Sequence, residues 1–481
     1  MMPSFHPVRA AILTAAALFA ASCASVGPDY EAPKTDFAAN WRQPKDAGLV
    51  GEPAAPGAWW RTFGDPLLAD LVDRALVHNL DLRAALARLE SARALRGVAA
   101  ADQWPSIDGR GSYEHRSESK NTPFGAFIPR TNIHTIAADA SWELDLWGRV
   151  RRSVEAANAD LAASEDDVRA AAVTVAGEVA ATYIDLRAAQ QRLKIAQENL
   201  ALQERTLGLV RARFDAGLVV ERDVAQAATN VESTRARLPS LVAAATTAQN
   251  RLLVLLGTTP SDLPLDLDTV APLPTLPTKV AVGLPTDLLR RRPDVQAAER
   301  RFAAAVARIG VAEGDRYPRF TLGGTLGLSA NAARDVFDSD SDLVAFGPSV
   351  RWNLFDGGRL RQRVRSLEAT AEAAQLAWEK AVLLAIEETE NAMTRFVREQ
   401  ERRTSLQRAA EQARRAVELA QSQYRAGLSD FQAVIDSERT VATIEDDLVA
   451  SDAQVAGSLV AIFKSLGGEF GAPAVSATAS R

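Results

Sequence analysis

The side chain best placed for covalent chemistry is Cys23, the only cysteine in the chain, which follows Arg9 and the apolar run Ala10 to Ala20. A basic start, a short apolar stretch and small residues before a cysteine predict a secretory signal read for lipid attachment. The run is too short to span a bilayer as a helix. The expected chemistry is cleavage after Ser22 and acylation of Cys23, whose acyl chains, buried at ~0.8 kcal/mol per CH2, hold the new N-terminus to a membrane. Ala24 rather than aspartate follows the cysteine, which favours outer-membrane sorting. Ala20 stands where such a signal usually has leucine, so the alternative is a simple cleaved signal with an incidental cysteine.

Other chemistry is poorly served. His6 lies in the signal, and His78, His115 and His134 have neither metal-ligand spacing nor a nucleophile beside them. Neither standard phosphate-binding glycine loop is present. The expectation is therefore no enzyme activity, no metal and no cofactor beyond a covalent lipid. The 55 Lys and Arg against 61 Asp and Glu give a net charge of -6. Nucleic acid needs a concentrated positive surface and is not an expected partner.

The elements around these residues are duplicated. Trp142-Glu143-Leu144-Asp145-Leu146-Trp147-Gly148-Arg149 matches Trp352-Asn353-Leu354-Phe355-Asp356-Gly357-Gly358-Arg359, 210 residues later (142 to 352). The same shift carries Ala216-Gly217-Leu218 onto Ala426-Gly427-Leu428 and Leu256-Gly257 onto Leu466-Gly467. Asp81 to Ala84 and Pro105 match Asp294 to Ala297 and Pro318 at a shift of 213 (105 to 318). Between the copies, prolines 260, 264, 272, 274, 277 and 285 forbid a regular helix and predict an extended connector. The expected division is a signal peptide at 1–22, a lipidated extended segment at 23–65, a first repeat at 66–257, a connector at 258–285, a second repeat at 286–467 and a flexible tail at 468–481.

Each copy reads as helix, hairpin of strands, very long helix and return helix. Asp65-Pro66 is an N-cap with proline at the first helical position, opening a helix to about Gln103; Thr286-Asp287 opens its counterpart. Ala138, Ala140, Trp142, Leu144 and Leu146 alternate with Asp139, Ser141, Glu143 and Asp145, and Val344, Phe346, Val350, Trp352 and Leu354 with Ser349 and Arg351. Phe320 to Ser329 and Ile107 to Glu114 supply two more alternating runs, making four strands. A half-buried sheet on a soluble core is one reading. The other is membrane strands, which need ~9–11 residues each. Four strands cannot close a barrel, and open edges are forbidden in lipid, so several chains must pool their strands.

From Gly148 the chain predicts a helix to about Phe214, on the order of 100 Å at ~1.5 Å per residue. Val179, Leu186, Leu193, Leu200, Leu207 and Phe214 recur every seven residues, beside a second seam of Ala188, Ile195, Leu202 and Leu209. Two seams imply neighbours on both sides, as in a ring of helices, with a simple two-stranded coiled coil as the alternative. The matching seam Phe396, Ala410, Val417 and Tyr424 is interrupted by Arg403.

These residues resemble the TolC-like outer membrane efflux family, in its lipoprotein or NodT-type branch. Gly27-Pro28-Asp29-Tyr30, Trp59-Trp60, Phe63-Gly64-Asp65-Pro66-Leu67, Asn79 with Asp81-Leu82, the Trp142 to Arg149 block, Leu284-Pro285, Leu288-Leu289 and Arg292-Pro293-Asp294 carry the resemblance in order. The resemblance implies a mainly α protein with a transmembrane β portion. Four strands per chain would contribute to a 12-stranded barrel in a homotrimer, and long helical hairpins to an α-barrel across the periplasm. It implies the outer channel of a tripartite efflux pump, in contact with outer-membrane lipid, a periplasmic membrane-fusion adaptor and an inner-membrane RND-type transporter.

Ala216, Gly217, Leu218, Ala426, Gly427 and Leu428 look like the family's adaptor-docking tips, against the plainer reading of C-cap glycines beside packed leucines. Asp436-Ser437-Glu438-Arg439 is similar to its periplasmic gate, with Asp436 and Arg439 as the charged pair, against the reading of a helix-surface pair. The first copy has Gln226 and Thr229 at those places, and Gln432 stands where the family has a gate leucine. A type I secretion outlet would share the fold, and a non-conducting coiled-coil lipoprotein would share the anchor and heptads.

Overall fold

The computed structural model describes residues 25–33, 41–42, 48–50, 57–119, 121–123, 127, 129–262, 266–277, 279–283 and 291–468. The signal segment 1–22, Cys23, the 284–290 stretch with Thr286-Asp287, and the tail from 469 lie outside the described residues. The main elements run β1 (Leu49–Val50), α1 (Pro66–His78), α2 (Leu80–Ala101), β2 (Ser106–Arg116), β3 (Thr131–Leu144) and α3 (Arg149–Asp215). There follow α4 (Glu221–Arg235), α5 (Leu238–Leu256), β4 (Val280–Ala281), α6 (Pro293–Gly314), β5 (Arg319–Ala330), β6 (Asp342–Arg351), α7 (Arg359–Arg425) and α8 (Phe431–Ser465). Helices α3 and α7 have 67 residues each and begin 210 residues apart (149 to 359).

Three features depart from the sequence expectation. The first helix breaks at Asn79, which is buried; its amide donates to the Leu255 carbonyl at 2.8 Å while its side-chain oxygen accepts from the Leu82 N–H at 3.0 Å. The asparagine thus ends one helix and caps the next. The first return helix is two helices, α4 and α5, because Pro239 lacks the N–H that a continuous helix would use. Val449 holds the matching place in α8, which is unbroken. The connector is also not wholly irregular: β4 pairs in parallel with β1, Val280 N–H donating to Gly48 at 2.8 Å.

Contacts gather the chain into two compact units that cut across the repeats, one from 1–34, 88–165 and 297–379, the other from 35–87, 166–296 and 380–481. The first holds the antiparallel sheet β2-β3-β5-β6. Strand β3 is longer than its alternating core, and β6 ends before Trp352 and Leu354. Pairing places Ile107, Ala140, Gly324 and Phe346 in one row, with Leu326 and Val344 beside Ala138 in the next on the same face. Ile107 is 74%, Leu326 67% and Phe346 87% exposed, whereas Ala137 on the opposite face is 6% exposed. That opposite face holds Asp108, Arg110, Asp139, Ser141, Thr321, Thr325 and Ser349; Thr325 donates to Asp139 at 2.7 Å. A sheet folding on a soluble core would bury its apolar face, and this one does the reverse.

Where the strands meet the helices, the two repeat copies use the same device. The Trp142 indole donates to the Gln103 carbonyl at 3.0 Å and the Trp352 indole to the Arg316 carbonyl at 3.1 Å. Asp145 caps α3 by accepting from the Val150 and Arg151 N–H groups, and Asp356 caps α7 by accepting from Gly358 and Leu360. Those backbone donors, that of Leu360 foremost, hold the Asp356 carboxyl below the usual carboxylate range. The 25–30 segment packs in this unit: Arg152 holds Asp29 at 2.5 Å, Tyr30 donates to Glu299 at 2.9 Å, and its ring meets Phe302 edge-on.

Candidate functional site: the helix tips and the polar knot behind them

In the second unit, α3 turns into α4 and α7 into α8 through matching loops. Leu218 N–H donates to the Arg213 carbonyl and Leu428 N–H to the Gln423 carbonyl, both at 2.9 Å, closing each helix by a six-residue wrap. The wrap needs positive φ at the residue before, and Gly217 (+71°) and Gly427 (+73°) supply it in open surroundings, so conformation alone requires glycine there. Leu218 is 68% and Leu428 81% exposed. They are therefore not the packed leucines of an ordinary C-cap.

Behind the tips all four helices share one apolar cluster: Leu207 and Val210 of α3, Ala227 and Val231 of α4, Ala420 and Tyr424 of α7, and Phe431, Val434 and Ile435 of α8. Arg213 lies over the Tyr424 ring, 4.6 Å from its centre, and donates to the Tyr424 carbonyl. Farther along, the seam of α7 survives its interruption because Arg403 pairs with Asp452 of α8.

Asp436 and Arg439 are both exposed on α8 and, among the described residues, do not pair with each other. Asp436 accepts from Gln432 at 2.9 Å, and Arg439 donates to the Asn230 side chain of α4 at 3.2 Å. The pairing at i, i+3 is absent, which leaves both charges at the surface.

Between them Glu438 points the other way. It is 2% exposed and accepts from Thr206 of α3 at 2.8 Å, Gln421 of α7 at 3.1 Å and Asn230 of α4 at 3.5 Å. One carboxylate thus ties four helices together, and Asn230 links it to Arg439. Burial pushes the Glu438 carboxyl up, against the lowering effect of the Thr206 and Gln421 hydrogen bonds. Sequence reading left Glu438 without a role, although its spacing from Phe431, Val434, Ile435 and Val441 already placed it on the buried stripe of α8.

Farther from the tips, Tyr183 donates to Asp65 at 2.7 Å and accepts from Arg187, which donates to the Thr269 carbonyl at 2.7 Å. Burial first, and then the Asp65 bond, push the Tyr183 phenol up to about 12. Gln190 likewise holds the Leu267 carbonyl at 2.7 Å, so α3 clamps the connector through its backbone. Among the described residues no three His, Cys, Asp or Glu side chains are grouped so as to hold a metal, and no helix is long and apolar enough to cross a membrane.

Long paired helices joined to a hairpin sheet that exposes its apolar face define a class of outer-membrane channel subunit, and comparison with known proteins agrees. The model of the outer membrane efflux protein family matches residues 71–258 and again 284–468. Nodulation protein T of Rhizobium leguminosarum bv. trifolii is 31% identical over 88% of this chain and 90% of its own length. The pyoverdine export outer membrane protein OpmQ of Pseudomonas putida is 32% identical over 89% of this chain and 91% of its own. The solved outer-membrane channel OprN superposes with a TM-score of 0.88 at 38% identity, over 92% of this chain and 99% of that one. The open-state MtrE channel of Neisseria gonorrhoeae gives 0.83 at 26% identity, over 93% and 98%. The chain belongs to the outer membrane efflux protein family.

Proposed function

We propose that three copies of this chain form the outer-membrane channel of a tripartite efflux pump, through which drugs, other toxic small molecules or metals leave the cell. The observation that carries this reading is the sheet: its apolar face is exposed, its polar face is the more covered one, and its edge strands β2 and β6 have no partner on their outer sides among the described residues. The exposed apolar face is unfavourable in water and the unpaired edges are unfavourable in lipid, and both are resolved when three sheets of four strands close into a 12-stranded barrel with the apolar face toward the bilayer. Exposed leucines on α7 support the same ring. Leu376 and Leu383, one heptad apart, are 57% and 65% exposed and offer a seam to a neighbouring helix.

In this assembly a lipid on Cys23 anchors the N-terminus beside the sheet-bearing unit, to which residues 25–30 are tied. The exposed Leu218 and Leu428 tips dock a periplasmic adaptor, which connects the channel to an inner-membrane RND-type transporter. Asp436 and Arg439 form a periplasmic gate with neighbouring copies: exposed charges unpaired with each other can exchange partners at modest cost when the adaptor draws the helices apart. Energy comes from the transporter, and this chain contributes passage and gating. The test is accumulation of a fluorescent efflux dye in cells lacking the chain. Retention reversed by the wild-type chain, and not by a Leu218→Ser, Leu428→Ser variant present at equal amount, supports the reading; equal retention in all three strains contradicts it.

A further inference from the structure

The two free edges of the sheet carry opposite, uncompensated charges at the ends nearest the helices. On β2, Asp108 stands directly opposite Asp139, and the nearby Arg110 is bound to Asp139 at 3.2 Å. On β6, Arg351 stands directly opposite Arg319, which is itself bound to Asp315. Like charges facing across strands are destabilising unless a third group intervenes. Each edge therefore has one charge left over, negative at Asp108 and positive at Arg351, both on the polar face of the sheet.

The repeat explains the positive excess. In the first copy Arg149 is held by Glu143 at 2.8 Å and Arg151 by Asp145 at 3.4 Å. The second copy keeps Arg359 and Arg361 but has Asn353 and Phe355 in place of those carboxylates, and it has Arg319, Arg351 and Arg363 where the first copy has Ser106, Ser141 and Ser153. Arg351 accordingly lines a cleft of about 380 Å³ with Arg319, Arg359 and Arg363, whose wall contains the single carboxylate Asp315.

We infer that Arg351 of one copy pairs with Asp108 of the next across the β6–β2 seam, so that the arginine cleft is completed by a carboxylate from the neighbouring subunit. The inference rests on the trimeric barrel proposed above. Strand ends fix the register. Counted from the row Ser106, Ser141, Gly323 and Gly347, β3 extends three residues farther toward the helices (Ser141 to Leu144), β5 four (Gly323 to Arg319) and β6 four (Gly347 to Arg351). The opposite border slides the same way: β5 ends at Ala330, opposite His134 rather than Thr131, and β6 begins at Asp342, opposite Leu328. Each chain thus staggers its strands by about four to six residues, as the tilt of a closed barrel requires, and the number must be even for the faces to match. A stagger of about six sets Arg351 directly opposite Asp108; about four sets it opposite Ser106, with Asp108 on the diagonal, ~7–8 Å away and within reach of a long side chain.

The test uses full-length protein purified in detergent. Arg351→Asp should lose the trimer band on gels run without boiling, and adding Asp108→Arg should restore it. Independently, Arg351→Cys combined with Asp108→Cys or with Ser106→Cys should give covalent trimers under oxidation, whereas Asp108→Cys with Leu343→Cys should not. A wild-type trimer whose charge swap fails to rescue and whose 351 cysteine links to neither position overturns the seam. A wild-type chain with the mass of a monomer overturns the trimeric reading itself, and the seam with it.

Discussion

The Thr206 hydroxyl on α3 donates to the Glu438 carboxylate on α8 at 2.8 Å, at a point where α4 and α7 also reach the same buried group. Because burial raises this carboxyl above its ordinary value, the protonated form is the one the fold favours. Its contribution to stability is complete below the unfolded value and is lost as pH rises through the raised one. Glu438→Gln should therefore raise the thermal midpoint of helical circular dichroism more at pH 8 than at pH 5. An equal change at both would mean that Glu438 is already charged in the fold throughout. Glu438→Ala, which strands three donors, should cost roughly 1–3 kcal/mol.

The tips separate conformation from recognition. Gly217→Ala and Gly427→Ala should each destabilise by ~1–2 kcal/mol, since both glycines hold positive φ in open space. Leu218→Ser and Leu428→Ser should leave the melting curve unchanged, because these side chains are exposed, while abolishing cross-linking to the adaptor. Unaltered adaptor cross-linking would remove the leucines from the docking surface.

The N-terminal clamp depends on Gly27. Its φ is +88°, and a Cβ there would lie 2.4 Å from the Gly310 Cα, a backbone atom that cannot step aside. Gly27→Ala should detach the 25–30 segment and expose it to limited proteolysis without changing helix content. Protection equal to wild type would show that Arg152–Asp29 and Tyr30–Glu299 hold the segment unaided.

Gate variants have a directional outcome. Asp436→Ala removes an exposed charge whose partner, Gln432, is itself exposed, whereas Arg439→Ala also takes a donor from the buried Asn230 side-chain oxygen. Single-channel conductance should rise in both; the melting temperature should hold for Asp436→Ala and fall slightly for Arg439→Ala. Unchanged conductance would assign these residues to the helix surface alone.

Much of this architecture was legible from the residues because it rests on periodicity. Alternation marked the four long strands, the 210-residue shift marked α3 and α7, and Asp65-Pro66 marked the start of α1. The misses were local events that periodicity does not encode. Asn79 sits in a helical pattern and acts as a break only because the Leu255 carbonyl is there to receive its amide. The β1–β4 pair is two residues long on each side and joins segments more than 200 positions apart (Leu49 to Val280). Glu438 lay on an apolar stripe, but a single acidic residue there reads as an interruption until Thr206, Gln421 and Asn230 are seen to face it.

Whether three copies make the channel is read from the mass and conductance of the purified protein in lipid bilayers. A trimer that forms stable conducting pores, with larger steps when Asp436 or Arg439 is replaced, is the expected result. A monomer that conducts at no voltage would contradict the trimeric channel.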